Sequence, residues 1–184
     1  MPLHKSGNLG VGLSHYGYSN YNFSRLTLGY SQQLFSKLYM GLNIDYFHVS
    51  QAENYGRGNA MTFELGLFSS PINNFSIGVF VFNPINASFF ESKELKLPVT
   101  MKLGMSYLFS DALLLAIEAG KSINGYTSIF KAGIEYNLKK HFSFRAGISL
   151  VPIEYSFGLG YNIAGASFDL AFAYNQILGL SPKI

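Results

Sequence analysis

The sequence has 184 residues, which is enough for one domain with a sizeable core. Charged residues make up 12% of it, about half the usual share in a soluble globular protein, and aromatic residues reach 16%. This composition argues against a soluble enzyme, and a net charge of only +3, spread along the chain, argues against a nucleic-acid partner. The absence of cysteine excludes disulfides and cysteine-ligated metals, and no run of about 18 apolar residues provides a transmembrane helix.

Alternation of apolar and polar residues runs through nearly the whole chain and predicts strands. It is clearest at residues 38–48, where Ile44 and Tyr46 fall on one face and Asp45 and Phe47 on the other. Turn residues separate the strands, and no segment predicts a helix. The predicted strands are 8–16, 25–33, 38–48, 61–68, 75–82, 100–109, 112–121, 128–138, 142–150, 155–163 and 167–175, with a short final strand at 181–184.

The connections between these strands alternate in length. Short ones are predicted at 35–37, 70–74, 110–111, 139–141 and 164–165. Longer or more polar ones are predicted at 17–23, 50–59, 83–99, 122–127 and 151–154. Outer-membrane barrels combine tight periplasmic turns with longer outer loops in this way. The sequence therefore predicts one domain, residues 1–184, folded as an all-β, antiparallel transmembrane β-barrel with about 11–12 strands present.

Apart from Lys121 and Lys183, which lie at or next to the ends of their strands, nine charged residues lie inside the predicted strands, and all nine fall on the polar face. A Lys or Arg turned toward mid-bilayer lipid costs roughly 2–4 kcal/mol, so this segregation favours an apolar face toward lipid and a polar face toward the lumen. A lipocalin-like barrel would need far more charge outside, and a soluble β-sandwich is the alternative fold. The nine are Arg25, Asp45, Glu64, Lys102, Glu118, Lys131, Glu135, Arg145 and Asp169.

Folding each hairpin about its turn predicts pairs among these lumen-facing charges. The expected neighbours are Glu135 with Arg145, Lys102 and Lys131 with Glu118, and Arg25 with Asp45. The resulting ladder of alternating charge has two interpretations. It is either a set of interior ion pairs that keep one another satisfied in a crowded lumen, or the lining of a path for a polar solute.

No residues predict catalysis or metal binding. The histidines, His4, His15, His48 and His141, lie at the terminus or near strand ends, and none has metal-ligand spacing to another histidine or a carboxylate. No serine–histidine pair has a convincing cross-strand register. We therefore expect no enzyme activity and no cofactor.

Short motifs follow one another in a fixed order from about Asn8 onward: Asn83-Pro84, Leu97-Pro98, Lys102-Leu103-Gly104-Met105-Ser106-Tyr107, Gly133-Ile134-Glu135-Tyr136, Arg145-Ala146-Gly147-Ile148, Ser156-Phe157-Gly158-Leu159-Gly160-Tyr161 and Leu178-Gly179-Leu180-Ser181. In order and spacing they resemble the PorV/PorQ-type proteins, relatives of the FadL-like fatty-acid transport barrels. The resemblance implies a barrel of about 14 strands in the outer membrane of Bacteroidetes-type bacteria. It also implies a role in type IX protein secretion or in anchoring cargo at the cell surface.

The sequence departs from this family at both ends. Residues 1–10 have no apolar segment of a signal peptide, and the family's N-terminal hatch and first strands have no counterpart. The last residues, 181–184, lack the final aromatic residue that is common in outer-membrane barrels. We therefore expect an N-terminally truncated member, and no hatch or ligand-binding residue is carried over from the family.

Three functions remain open at this point. The leading expectation is an integral outer-membrane component of secretion or surface anchoring, and the alternative is passage of hydrophobic small molecules such as fatty acids. A third is a structural or adhesive protein that acts through the loops at 50–59 and 83–99. The expected partners are the lipid bilayer and either secreted cargo or a hydrophobic ligand. Residues 87–90 are apolar for an outer loop. Three interpretations are open for them: they cover the lumen, they contact a partner, or they pack on the rim of the barrel.

Overall fold

A computed structural model of the protein describes residues 2–3, 7–18, 20–51, 57–89, 92–123, 128–138, 141–163, 166–176 and 179–183. Strands pair with their neighbours in the chain, apart from one small separate hairpin. In this part of the chain, no helix is long and apolar enough to cross a membrane. The chain divides into two compact units, unit 1 (residues 1–69, 79–101 and 122–126) and unit 2 (residues 70–78, 102–121 and 127–184).

Each unit is built from consecutive antiparallel strands. Unit 1 contains β1 (Pro2–Leu3), β2 (Gly7–Tyr18), β3 (Tyr21–Phe35), β4 (Leu38–Gln51), β7 (Ser88–Phe89) and β8 (Ser92–Lys96). Unit 2 contains β11 (Ser128–Leu138), β12 (Phe142–Leu150), β13 (Ile153–Ile163), β14 (Ala166–Asn175) and β15 (Gly179–Lys183). Four strands have residues in both units: β5 (Arg57–Ile72), β6 (Phe75–Phe82), β9 (Thr100–Ser110) and β10 (Leu113–Ser122).

The two faces of the unit 1 strands differ in exposure as the alternation predicts. In β4, Ile44 and Tyr46 are 41% and 44% exposed, whereas Asp45 and Phe47 are 0% and 3% exposed. Successive side chains of a strand point to opposite faces, so one face of β2–β5 carries the charges and the other is apolar. We call these two sides the charged face and the apolar face.

Unit 2 shows the same division. Large apolar side chains on the side opposite Glu135 and Arg145 are exposed, among them Ile134, Phe157 and Phe168. Contiguous exposed apolar surface on this scale indicates contact with a membrane or a protein partner rather than with water. The exposed apolar face is therefore the face that suits lipid.

The strand predictions are confirmed. All eleven predicted strands and the final short strand are present in the described residues, with ends displaced by at most four residues. Strands β1, β7 and β8 were not predicted, because segments of two to five residues leave too little alternation to detect. The predicted connections at 139–141 and 164–165 lie largely or wholly outside the described residues, as do parts of 50–59 and 122–127.

Two connections that were predicted to be longer or more polar are tight turns, so the prediction of greater length is wrong at these places. In the first, Tyr18 pairs with Tyr21. Gly17 makes this turn possible, because its φ is +149° and a Cβ there would lie 2.1 Å from the carbonyl oxygen of Tyr21. In the second, Leu150 pairs with Ile153, which leaves a two-residue turn.

Candidate functional site

The nine predicted charges form three clusters of three, each cluster within one unit. The Arg25 cluster in unit 1 comprises Arg25, Asp45 and Glu64. The Glu118 cluster in unit 2 comprises Lys102, Glu118 and Lys131. The Arg145 cluster in unit 2 comprises Glu135, Arg145 and Asp169.

The Arg25 cluster is the most buried of the three. Arg25 donates from Nε to Asp45 Oδ1 at 2.8 Å and from Nη2 to Glu64 Oε1 at 2.5 Å, and its Nη2 also lies 2.8 Å from Asp45 Oδ1. Thr27 Oγ1 also donates to Asp45 Oδ1, at 2.6 Å, and Asn43 Nδ2 donates to Glu64 Oε2 at 2.7 Å. Among the described residues, Asp45 Oδ2 is buried without a hydrogen-bond partner. One guanidinium thus holds two shielded carboxylates.

The register of β3 and β4 differs from the sequence prediction. Arg25 lies opposite Phe47, and Thr27 is the residue opposite Asp45. A fold about the predicted turn at 35–37 places Phe47 opposite Arg25, as the structure does, so the predicted pairing with Asp45 was two residues off; the bulge between Gln33 and Phe35 shifts the pairing by only one residue, next to the turn. Arg25 still reaches Asp45 along the diagonal, which is within range of a long side chain.

The Glu118 cluster is looser. Glu118 lies opposite Lys131. Its Oε1 lies 3.8 Å from Lys131 Nζ and 3.9 Å from Lys102 Nζ. All three side chains are at least one third exposed, so each of these pairs is worth little in stability.

The Arg145 cluster depends on glycines in the intervening strand. Glu135 lies opposite Arg145, and its Oε2 accepts a 2.7 Å bond from Arg145 Nε. Arg145 Nη1 reaches Asp169 Oδ1, at 2.5 Å, two strands away. The bond passes over β13 at Gly158 and Gly160, and a Cβ at Gly160 would lie 2.8 Å from Asp169 Oδ1 and 3.3 Å from Arg145 Nη1. The glycines therefore leave the space in which this ion pair forms.

A second feature of unit 1 was not predicted: a buried apolar cluster on the charged face, which we call the aromatic pocket. Phe47, Val49 and Ala60 form its buried floor. The ring of Phe47 lies 5.6 Å from that of Phe23 and 6.1 Å, edge-on, from that of Phe82, measured between centroids. The signal in the sequence was available, since Phe47 and Val49 place apolar side chains on a face that is otherwise polar.

The segment at 83–99, which we call the strap, covers this pocket. Phe89 and Leu97 of the strap are 5% and 7% exposed and belong to the same apolar cluster as Phe47. A Cβ at Gly58 would lie 3.1 Å from Phe89 Cδ1, so the glycine makes room for the ring. Of the three interpretations of residues 87–90, packing against the barrel strands describes Phe89 best, and Phe90 lies outside the described residues.

One residue holds the base of the strap in place. Asn83 is fully buried, and its Oδ1 accepts hydrogen bonds from Thr62 Oγ1 at 2.7 Å and from the Ala87 amide at 2.8 Å. Its Nδ2 donates to the carbonyl oxygens of Leu97, at 2.9 Å, and Ala87, at 3.3 Å. Both ends of the strap are thereby joined to β5 at one point.

A row of polar residues crosses the apolar face of unit 1, contrary to the expectation that no serine and histidine are in register. His15, Ser24, His48 and Asn59 are successive cross-strand partners, and we call them the polar row. His15 Nδ1 lies 2.9 Å from Ser24 Oγ, and His48 Nδ1 lies 2.8 Å from Asn59 Oδ1. The row contains no carboxylate, and we interpret it as the polar edge of the apolar face. In the described residues, no group of three His, Cys, Asp or Glu side chains could hold a metal ion.

Comparison with known proteins gives the fold. No protein-family model and no curated protein sequence matches the chain. The structure resembles the Ralstonia pickettii toluene transporter TbuX, with a TM-score of 0.61 and 13% identity over 84% of this chain and 62% of TbuX. It also resembles the CymD monoaromatic hydrocarbon channel, with a TM-score of 0.57 and 14% identity over 96% of this chain and 74% of CymD. The chain thus spans less than two thirds of TbuX, and at these identities the likeness shows the fold alone, which is the antiparallel FadL-like β-barrel fold.

Proposed function

We propose that the protein is an integral bacterial outer-membrane barrel that lets small apolar molecules pass, with monoaromatic hydrocarbons as the favoured class. The observation that carries this proposal is the shared fold with a toluene transporter and a hydrocarbon channel. The aromatic pocket supports it, since Phe23, Phe47 and Phe82 offer rings to an apolar solute on the face turned away from the exposed apolar surface.

This proposal prefers the transport alternative to the secretion role implied by the PorV/PorQ resemblance. Both neighbours are described as passing solutes, and neither supports type IX secretion, cargo anchoring or a Bacteroidetes source. A transporter and a channel as neighbours also agree with the expectation of a protein without catalysis. The charge clusters are proposed to line the lumen and to hold the strands in register rather than to bind the solute.

Passage can be tested in cells for which the outer membrane limits hydrocarbon uptake. The chain, fused to a secretory signal peptide, is expressed in a Gram-negative strain that oxidises toluene but lacks its own hydrocarbon channel. At low toluene concentration we expect the initial rate of toluene oxidation to rise several-fold, with uptake of a charged solute unchanged. The proposal is wrong if the chain is folded in the outer membrane, as judged by heat-modifiable gel mobility, and the rate stays at background.

A further inference from the structure

The side chain of Phe89 is a benzyl group, which has the same carbon atoms as toluene. Its ring is 5% exposed and is enclosed with Phe47, Val49, Ala60 and Leu97. A pocket that buries a benzyl group in this way has the size and apolar lining that a free monoaromatic ring requires. The Phe89 ring therefore shows which kind of group this pocket can enclose.

Gly58 and the rings of Phe47 and Phe82 border the pocket. A Cβ at Gly58 would contact Phe89 Cδ1 at 3.1 Å and Cβ at 3.2 Å, so any side chain at position 58 would intrude on the ring. Phe82 meets Phe47 at an interplanar angle of 85°, and such edge-to-face geometry is favourable between aromatic rings.

The strap is attached in a way that allows the ring to leave while the base stays fixed. The hydrogen bonds of Asn83 reach Thr62, Ala87 and Leu97, all at the base. Phe89 lies beyond them in the hairpin of β7 and β8, where Phe89 pairs with Ser92. Removing the ring from the pocket breaks apolar contacts and leaves the bonds of Asn83 intact.

We propose that the pocket occupied by Phe89 binds the aromatic ring of the transported molecule, and that this molecule binds by displacing Phe89. The inference rests on the proposed function and names the binding site for it. A hydrocarbon and Phe89 bury similar apolar surface, so the exchange is nearly balanced and the cargo is held weakly enough to be released. Phe89 therefore competes with the hydrocarbon for the aromatic pocket.

The first test removes the competitor. Toluene binding to the refolded, heat-modifiable protein is measured by equilibrium dialysis for the wild type, Phe89→Ala and the control Phe168→Ala, whose ring is 64% exposed on the apolar face of unit 2. If the pocket is free in less than a tenth of the molecules, vacating it tightens apparent binding by about tenfold or more. Phe168→Ala should bind as the wild type does. Equal affinity of wild type and Phe89→Ala overturns the proposal.

The second test distinguishes displacement from simple filling of an engineered cavity. A toluene molecule that displaces Phe89 from the wild type must free the hairpin of β7 and β8, so saturating toluene should accelerate amide hydrogen exchange at Ser88 and Phe89 at least about fivefold. In Phe89→Ala the pocket is already vacant, and toluene should leave this exchange rate unchanged. Unchanged exchange in the wild type at saturating toluene overturns the proposal.

The variant Phe89→Ala separates this inference from the proposed function in the cellular assay. If the wild type passes toluene and Phe89→Ala does not change the rate, the pocket is not the binding site although passage stands. If the wild type passes no toluene, the proposed function fails, and this inference fails with it.

Discussion

At the scale of single residues, the three charge clusters differ in burial, and burial decides what each is worth. Asp45 is inaccessible and the Glu64 side chain is 12% exposed, so neither can turn to water if Arg25 is removed. In the Glu118 cluster the side chains of Lys102 and Glu118 are 41% and 35% exposed, and solvent can replace the partner. The same pair of charge types therefore has different consequences at the two positions.

This difference gives a prediction for two matched substitutions. Arg25→Met should lower the free energy of unfolding by about 3 kcal/mol, because it leaves two shielded carboxylates without a cation. Lys102→Met should cost less than about 1 kcal/mol, because its ion pair is long and exposed. Denaturant unfolding in detergent, followed by gel mobility, measures both. Equal losses would show that burial does not govern these clusters.

At the scale of elements, the strap is a segment whose position depends on one buried amide. Asn83 and Asn86 both adopt positive φ, +55° and +54°, a region in which glycine is less strained than asparagine. Asn83 is buried with four side-chain hydrogen bonds, whereas Asn86 is exposed. The φ values are nearly equal at the two positions, so glycine relieves similar backbone strain at both, and a difference between the two variants reports on the side chains.

We expect Asn83→Gly to loosen the strap and Asn86→Gly to leave it in place. Loss of the Asn83 amide leaves buried partners unsatisfied, at a cost of about 1–3 kcal/mol. Amide hydrogen exchange within residues 83–99 should accelerate at least about fivefold in Asn83→Gly. Unchanged exchange in Asn83→Gly, or the same acceleration in both variants, would mean that the apolar contacts of Phe89 and Leu97 hold the strap without the amide.

At the scale of the whole molecule, the polar row marks where the apolar face of unit 1 ends. His48 belongs to this row, and Ile44 lies on the same face of β4 four residues further in, or about 13 Å at roughly 3.3 Å per residue. If the apolar face contacts lipid, a charge at position 44 lies in the hydrocarbon region of the bilayer, whereas a charge at position 48 lies near the membrane–water interface.

Ile44→Lys and His48→Lys therefore form a depth test. Ile44→Lys should cost about 2–4 kcal/mol and His48→Lys no more than about 1 kcal/mol, because the cost of a lipid-facing charge falls toward the interface. Refolding into lipid vesicles, scored by heat-modifiable mobility and urea unfolding, gives both values. If the two substitutions cost the same, the apolar face of unit 1 does not contact lipid.

The sequence by itself determined the strands and their faces. Period-two alternation is a local property that does not depend on which strands pair, so it predicted the eleven strands and, within each unit, the grouping of the charges on one face. It also gave Glu135 opposite Arg145, since a short connection at 139–141 leaves little freedom in the register.

The tertiary structure decided what local patterns do not contain. Arg25 reaches Asp45 along the diagonal although its cross-strand partner is Phe47, and Gly17 converted an expected loop into a turn. Two contacts depend on space left by glycines that are distant in the chain. Arg145 pairs with Asp169 across Gly160, and Phe89 packs against Gly58. Alternation records only which side of a strand a residue faces, whereas these contacts depend on how far a side chain extends and what else occupies that side.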